Sequence, residues 1–310
     1  MRLIGIRQGG QTVIGRLFPD GTVAEVAEAT EFYADLPGWL LQAESLPGGR
    51  GYRSAVEEVP AVPPSARVLC VGLNYRPHAE EAALPIPDHP AIFGRWTVSL
   101  VSDGTPVPVP PGEPGLDWEG ELAAVVGRPL FGVDVDTAVA GVLGYAAFND
   151  LSAREHQMHS RLWTVGKNAD RSGPFSAVVT ADEVGDPRQG LRLRTRVNGE
   201  TVQDGSTADM IFPVGEVLAY VSEVMTLNPG DVIATGTPQG VGFARTPPRY
   251  LGPGDTVEVE IERVGTVSNR VVGRDEAGPI HRPSLRVRDR HPAAGPATPS
   301  RGRPRPRDGS

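Results

Sequence analysis

Residues 117–127 read DWEGELAAVVG and residues 141–150 read GVLGYAAFND. Both are short, largely apolar runs of the kind that forms buried strands. In a strand, residues i and i+2 point to the same face. Glu119 and Glu121 therefore project together, roughly 7 Å apart along the chain. Next to LAAVV, two like charges are unfavourable unless one is protonated or a cation is bound. A Glu-x-Glu pair by itself also fits a solvent-facing strand. Asp150 ends the second run and supplies a third carboxylate, while Gly144, Ala146 and Ala147 leave room near the backbone. Three oxygen ligands, without Cys or clustered His, favour Mg2+ or Mn2+ over zinc.

Outward from this pair the chain remains mainly β, with some α. Residues 67–73 (RVLCVGL), 191–199, 231–237 and 255–265 carry β-branched or alternating patterns. Arg192, Arg194 and Arg196 alternate with Leu193, Thr195 and Val197, the mark of a half-exposed strand, and Asn198-Gly199 is a hairpin signal. The clearest helix is PVGEVLAYVSEVMT, residues 213–226. Strands and helices do not alternate regularly, so a TIM barrel or Rossmann sheet is disfavoured. Residues 1–64 read as a small β-rich N-terminal domain, with a short helix near residues 32–43 and a Pro-rich linker, VPAVPPSA, at its end. The main domain spans 65–273.

The chain has 310 residues, a net charge of -8 and 39% hydrophobic residues. No run approaches the ~20 apolar residues of a membrane span. The first 15 residues lack the apolar region of a secretory signal. A single cysteine, Cys70, excludes an internal disulfide and multi-Cys zinc sites, which leaves a cytoplasmic setting as the expectation. The acidic balance argues against nucleic acid as a partner. Residues 274–310 hold nine Arg against four acidic residues and are rich in Pro and Gly. Such a segment buries too little apolar surface to order itself, so a disordered Arg/Pro-rich tail is expected.

VGLNYRPHAEEA, residues 71–82, offers a base. In a helix after Pro77, His78 and Glu81 stand at i and i+3 on one face. Glu81 can then orient His78 and raise its basicity, so that the pair takes a proton from water; an exposed loop histidine fits as well. His156 and His159 in EHQMH read as helix-surface residues. GTPQGVG, residues 236–242, lacks the Lys-Ser/Thr ending of a phosphate loop. It reads as a tight turn that brings the Thr237 hydroxyl and backbone N–H groups toward a ligand.

Together with WTVGK, VNGETVQDGSTADMIF and LNPGDVIATGTPQGVG, these segments resemble the fumarylacetoacetate hydrolase family, in family order, from about residue 67 to residue 272. The resemblance implies a mixed β-roll and a homodimer. It implies Mg2+ or Mn2+ on Glu119, Glu121 and Asp150, and a His78–Glu81 dyad on a segment that orders when ligand binds. It places Lys167, Arg154, Gln157 and Thr237 at the substrate. Members cleave C–C bonds of acylpyruvates, decarboxylate oxaloacetate, or isomerise or hydrate dienoates. Arg95 stands where many members have Lys.

The expected function is metal-dependent hydrolysis of a C–C bond in a β-diketo acid. Water activated by His78 attacks the distal carbonyl, and Lys167 supports the developing oxyanion. An oxaloacetate decarboxylase or a dienoate isomerase or hydratase on the same metal site is the alternative. A non-catalytic oxo-acid-binding or scaffold homologue is another. Of 30 basic residues 29 are Arg, and the only lysine is Lys167. A lysine retained against that bias marks a site where a compact ammonium is needed, unless chance kept it.

Overall fold

The run 117–127 supplies the strand Gly120–Val126, and the run 141–150 supplies Val142–Asn149, all of whose residues are buried. They pair antiparallel with Gly120 opposite Asn149 and Ala123 opposite Ala146. The computed structural model describes residues 1–278. These two strands are central in its large sheet.

Burial on both faces explains why the runs are apolar throughout rather than alternating. Leu122, Ala124 and Val126 pack, with Tyr145 and Ala147, against Leu193, Val259 and the helix residues Val217, Leu218 and Val221. Ala123 and Val125, with Ala146 and Phe148, pack in a second core with Leu3, Phe32, Val178 and Ala234. Glu119 and Glu121 continue the row of Ala123 and Val125. Gly120 faces the other way, where a Cβ would lie 2.3 Å from the Thr195 hydroxyl and 3.1 Å from Leu193.

Across the large sheet the strands run Gly51–Tyr52, Thr22–Glu28, Gln11–Leu17, Arg2–Gln8, Val178–Thr180, Val142–Asn149, Gly120–Val126, Val232–Ala234, Arg67–Gly72 and Ala91–Trp96. Val232–Ala234 runs parallel to Arg67–Gly72, which makes the sheet mixed. A second sheet holds Glu200–Ser206, Arg192–Val197, Thr256–Ile261, Gly265–Val272 and Val107–Pro108. Its hairpin closes at Asn198-Gly199, with Val197 opposite Glu200. The architecture is mainly β, the mixed roll expected from the sequence.

Residues 1–64 are joined edge to edge to the rest: Arg2 pairs with Val179 and Leu3 with Val178. Phe32, Tyr33, Ala61 and Val62 share a core with Phe148, Val178 and Ala234. In place of one helix near 32–43 stand two, Ala29–Ala34 and Leu36–Ser45. The break is Asp35, whose side chain accepts from the Gly38 N–H and caps the second helix, with Pro37 in its first turn. The clearest predicted helix forms as Val214–Ser222. At the start of the expected tail, Arg274–Ala277 is a 3-10 turn whose Ala277 carbonyl accepts from Arg171. The remainder of that tail lies outside the described residues.

Candidate metal centre

Glu119, Glu121 and Asp150 meet at one end of the central strand pair, where the Asp150 N–H donates to the Glu119 carbonyl at 2.9 Å. One carboxylate oxygen from each lies within 4.8 Å of the others, and all three side chains are buried. Lys167 comes from the short helix Thr164–Lys167. Its Nζ donates to Glu119 Oε2 at 2.7 Å and to Asp150 Oδ2 at 2.5 Å. Arg95 Nε donates to Asp150 Oδ1. Arg154 Nη2 lies 2.6 Å from Glu119 Oε1 and 2.7 Å from Asp117 Oδ2.

Four buried carboxylates thus face three cations. Burial would raise Glu119, but Lys167 and Arg154 outweigh it and hold the carboxyl down at about 2. Among the described residues Glu121 has no such ion pair, and its carboxylate accepts from the Gly236 N–H at 2.9 Å. Burial, then the charges of Asp150 and Glu119, push it well above the usual carboxylate range. Burial opposes the charge on Lys167, yet Asp150 and Glu119 raise it above its ordinary value. An all-oxygen cluster with one carboxylate short of positive charge fits a hard divalent cation such as Mg2+ or Mn2+.

The dyad residues also meet. His78 and Glu81 lie on the helix Arg76–Glu81, with His78 Nδ1 3.0 Å from Glu81 Oε2. His78 is within electrostatic reach of Glu119. Asn74 sets the direction of this segment, since its buried amide donates to the Phe212 and Thr235 carbonyls.

Three other expected site residues hold protein groups. Arg154 is taken up by Asp117, Glu119 and Gln157, whose Oε1 accepts from Nη1 at 2.8 Å. The Thr237 hydroxyl donates to the Gly120 carbonyl and accepts from Gln203. The N–H groups of loop 236–242 point to the chain's own acids. Gly236 donates to Glu121, Gly240 to Glu81 and Gly242 to Asp117. His156 is held by Glu113, which also accepts from the Glu155 and His156 backbone.

Sequence reasoning passed over Asp117 and Gln203. Asp117 was legible from strand period, because 117, 119 and 121 share one face. Gln203 carried no local signal. Its amide bonds its cross-strand neighbour Thr195 and, far off in sequence, Gly120 and Thr237. The arginine at position 95 uses its fork. Nη1 meets the Ser99 and Ser172 hydroxyls, and Nη2 meets the Leu151 and Ser172 carbonyls. A lysine ammonium cannot span these acceptors while also reaching Asp150.

The sequence model described as fumarylacetoacetate (FAA) hydrolase C-terminal matches residues 67–272. The human mitochondrial oxaloacetate tautomerase FAHD2A is 42% identical over 223 residues, 71% of each chain. A 5-carboxymethyl-2-hydroxymuconate delta-isomerase from Mycobacterium smegmatis superposes with a TM-score of 0.69 at 32% identity, covering 88% of this chain and 99% of that one. A fumarylpyruvate hydrolase from Pseudomonas aeruginosa, solved with Mn2+ and pyruvate, gives 0.63 at 31% identity, over 70% of this chain and 91% of that one.

Proposed function

Because the chain belongs to the fumarylacetoacetate hydrolase family, we propose that it is a divalent-metal-dependent enzyme hydrolysing a C–C bond in a β-diketo acid of the acylpyruvate type. The observation that carries this is the convergence of Glu119, Glu121 and Asp150 within 4.8 Å, with an imidazole–carboxylate pair near Glu119. When bound to these three carboxylates, Mg2+ or Mn2+ supplies a Lewis acid for the 2-oxo group of the substrate. His78 accepts a proton from the attacking water, and Glu81 fixes the imidazole through Nδ1. Lys167 places a fixed positive charge beside the oxyanion that develops as the C–C bond opens. Arg154 and Arg95 hold Glu119 and Asp150 in place.

A second reading is keto–enol tautomerisation of an oxaloacetate-type acid, with His78 moving the proton. It is favoured by the 42% identity to the human oxaloacetate tautomerase. Product analysis separates the two. A hydrolase consumes the enol absorbance and releases two acids in equal amounts. A tautomerase consumes the enol absorbance and leaves the carbon skeleton whole. For either reaction, Glu119→Ala and Asp150→Ala are expected to abolish turnover in assays with Mg2+ or Mn2+. Chelation is expected to do so reversibly, and full turnover by metal-free protein overturns the proposal.

A further inference from the structure

Lys167 sits at the end of a helix of only four residues, Thr164–Lys167. One helical turn has no stability of its own, yet it must hold an ammonium 2.7 Å from Glu119 and 2.5 Å from Asp150. The turn opens on Trp163, whose φ of 59° and ψ of -5° are left-handed. A bulky residue rarely adopts that conformation, and it persists only where surrounding contacts impose it. Here the contacts are visible. The Trp163 ring meets Phe93 edge-on, with centroids 5.3 Å apart and planes at 81°. Its far edge lies over Gly72, where a Cβ would come within 2.7 Å of Cζ3. Phe93 also faces the ammonium, with Lys167 Nζ 5.3 Å from its centroid. The Trp163 carbonyl accepts the Lys167 N–H at 3.0 Å, so the wedge and the lysine share one turn.

We propose that Trp163 is a positioning residue for Lys167, its ring wedged between Gly72 and Phe93 so that a strained turn aims the ammonium between Glu119 and Asp150. The turn is also pinned at its other end, where Asn168 accepts from the Trp96 N–H and donates to the Thr164 carbonyl. Asn168 fixes where the turn stops. Trp163 fixes how it is rotated, because the left-handed step at its start sets the direction of every later residue. The catalytic consequence rests on the role given to Lys167 above; the geometric claim does not.

The single lysine makes the test direct. Reductive methylation with formaldehyde labels Lys167 and the N-terminal amine of this chain only, and the latter serves as internal reference. In native protein Lys167 is 2% exposed, so slow labelling is expected. Trp163→Ala is expected to raise the Lys167 rate relative to the reference by about tenfold or more, as a local opening becomes easier. Trp163→Phe, which keeps a ring, is expected to fall between. Gly72→Ala pushes on the ring from the other side and is expected to act in the same direction. Near-UV circular dichroism identifies which variants are folded, and the test is read on those. A wild-type Lys167 rate in all folded variants overturns the inference.

Kinetics supply the second arm. Trp163→Ala is expected to lower kcat by about 10²-fold, the scale of a misplacement near 1 Å. In a Lys167→Ala background it is expected to have no further effect, because both changes remove one interaction. Faster labelling without loss of kcat upholds the positioning and refutes the catalytic role of Lys167. Faster labelling with an equal, additive loss in both backgrounds refutes action through Lys167.

Discussion

Lys167 is the only lysine beside 29 arginines, and it lies in the most crowded charged cluster of the described residues. Composition makes it noticeable; the two carboxylates at 2.7 and 2.5 Å explain it. A guanidinium is wider and planar, and this slot is closed by Phe93 on one side. Lys167→Arg therefore asks a packed site to accept a larger group, at about 1–3 kcal/mol. On the proposed mechanism it also moves the charge away from the developing oxyanion. The expected outcome is a fall in kcat of about 10²-fold or more, the scale of losing one oxyanion donor, measured by steady-state kinetics with the metal present. Wild-type kinetics would return this lysine to compositional chance. Arg95 gives the opposite lesson, since its six-bond fork joins Asp150 to the Ser172 loop and uses what only arginine offers.

At the scale of elements, the decisive unit is the strand pair Gly120–Val126 and Val142–Asn149. Its period of two aims Glu119 and Glu121 to one face and puts residue 120 on the other. That other face is covered by the second sheet, and only a residue without a Cβ fits beneath Thr195. The glycine between the two carboxylates is thus set by packing, not by metal chemistry. Gly120→Ala is expected to destabilise by roughly 1–3 kcal/mol through overpacking. For a domain of this size that lowers Tm by roughly 2–4 °C per kcal/mol. Because the strand must shift to admit the methyl group, metal affinity is expected to fall as well. Calorimetric melting and Mn2+ titration check both. A lower Tm with unchanged Mn2+ affinity would show that the carboxylates are insulated from the second sheet.

At the scale of the whole molecule, the first 64 residues share a sheet and a core with the part that carries the site. Their strands extend the sheet past Val178–Thr180, and Leu3, Ile14, Phe32 and Tyr33 are buried in a core shared with Phe148 and Ala234. Each such side chain contributes about 1.5–3 kcal/mol of burial. Several together match the entire 5–15 kcal/mol stability of an ordinary domain. A chain comprising residues 65–310 is therefore expected to aggregate or lose fixed tertiary structure, measured by light scattering and near-UV circular dichroism. A soluble, native-like product would show that the main domain is self-sufficient.

The sequence by itself determined the central strands, the mainly β class and the faces on which the acids lie, but not strands such as Ala91–Trp96 and Val178–Thr180. Strand period put Glu119 and Glu121 together, and helical period put His78 beside Glu81. Both are local rules acting over two or three residues. What holds those groups was decided by the tertiary structure alone. Gly236 donates to Glu121 across 115 positions and Gly240 to Glu81 across 159. Arg95 reaches Asp150 across 55. Arg154 and Thr237, expected at the substrate, are engaged by protein partners that no local spacing reveals. The left-handed Trp163 has no sequence signal either, since its strain is imposed by Gly72 and Phe93 from other strands. Periodicity fixes which side chains share a face, because it follows from backbone geometry. Which distant group meets that face depends on how the sheets close, because a buried charge must find its partner wherever packing has left one.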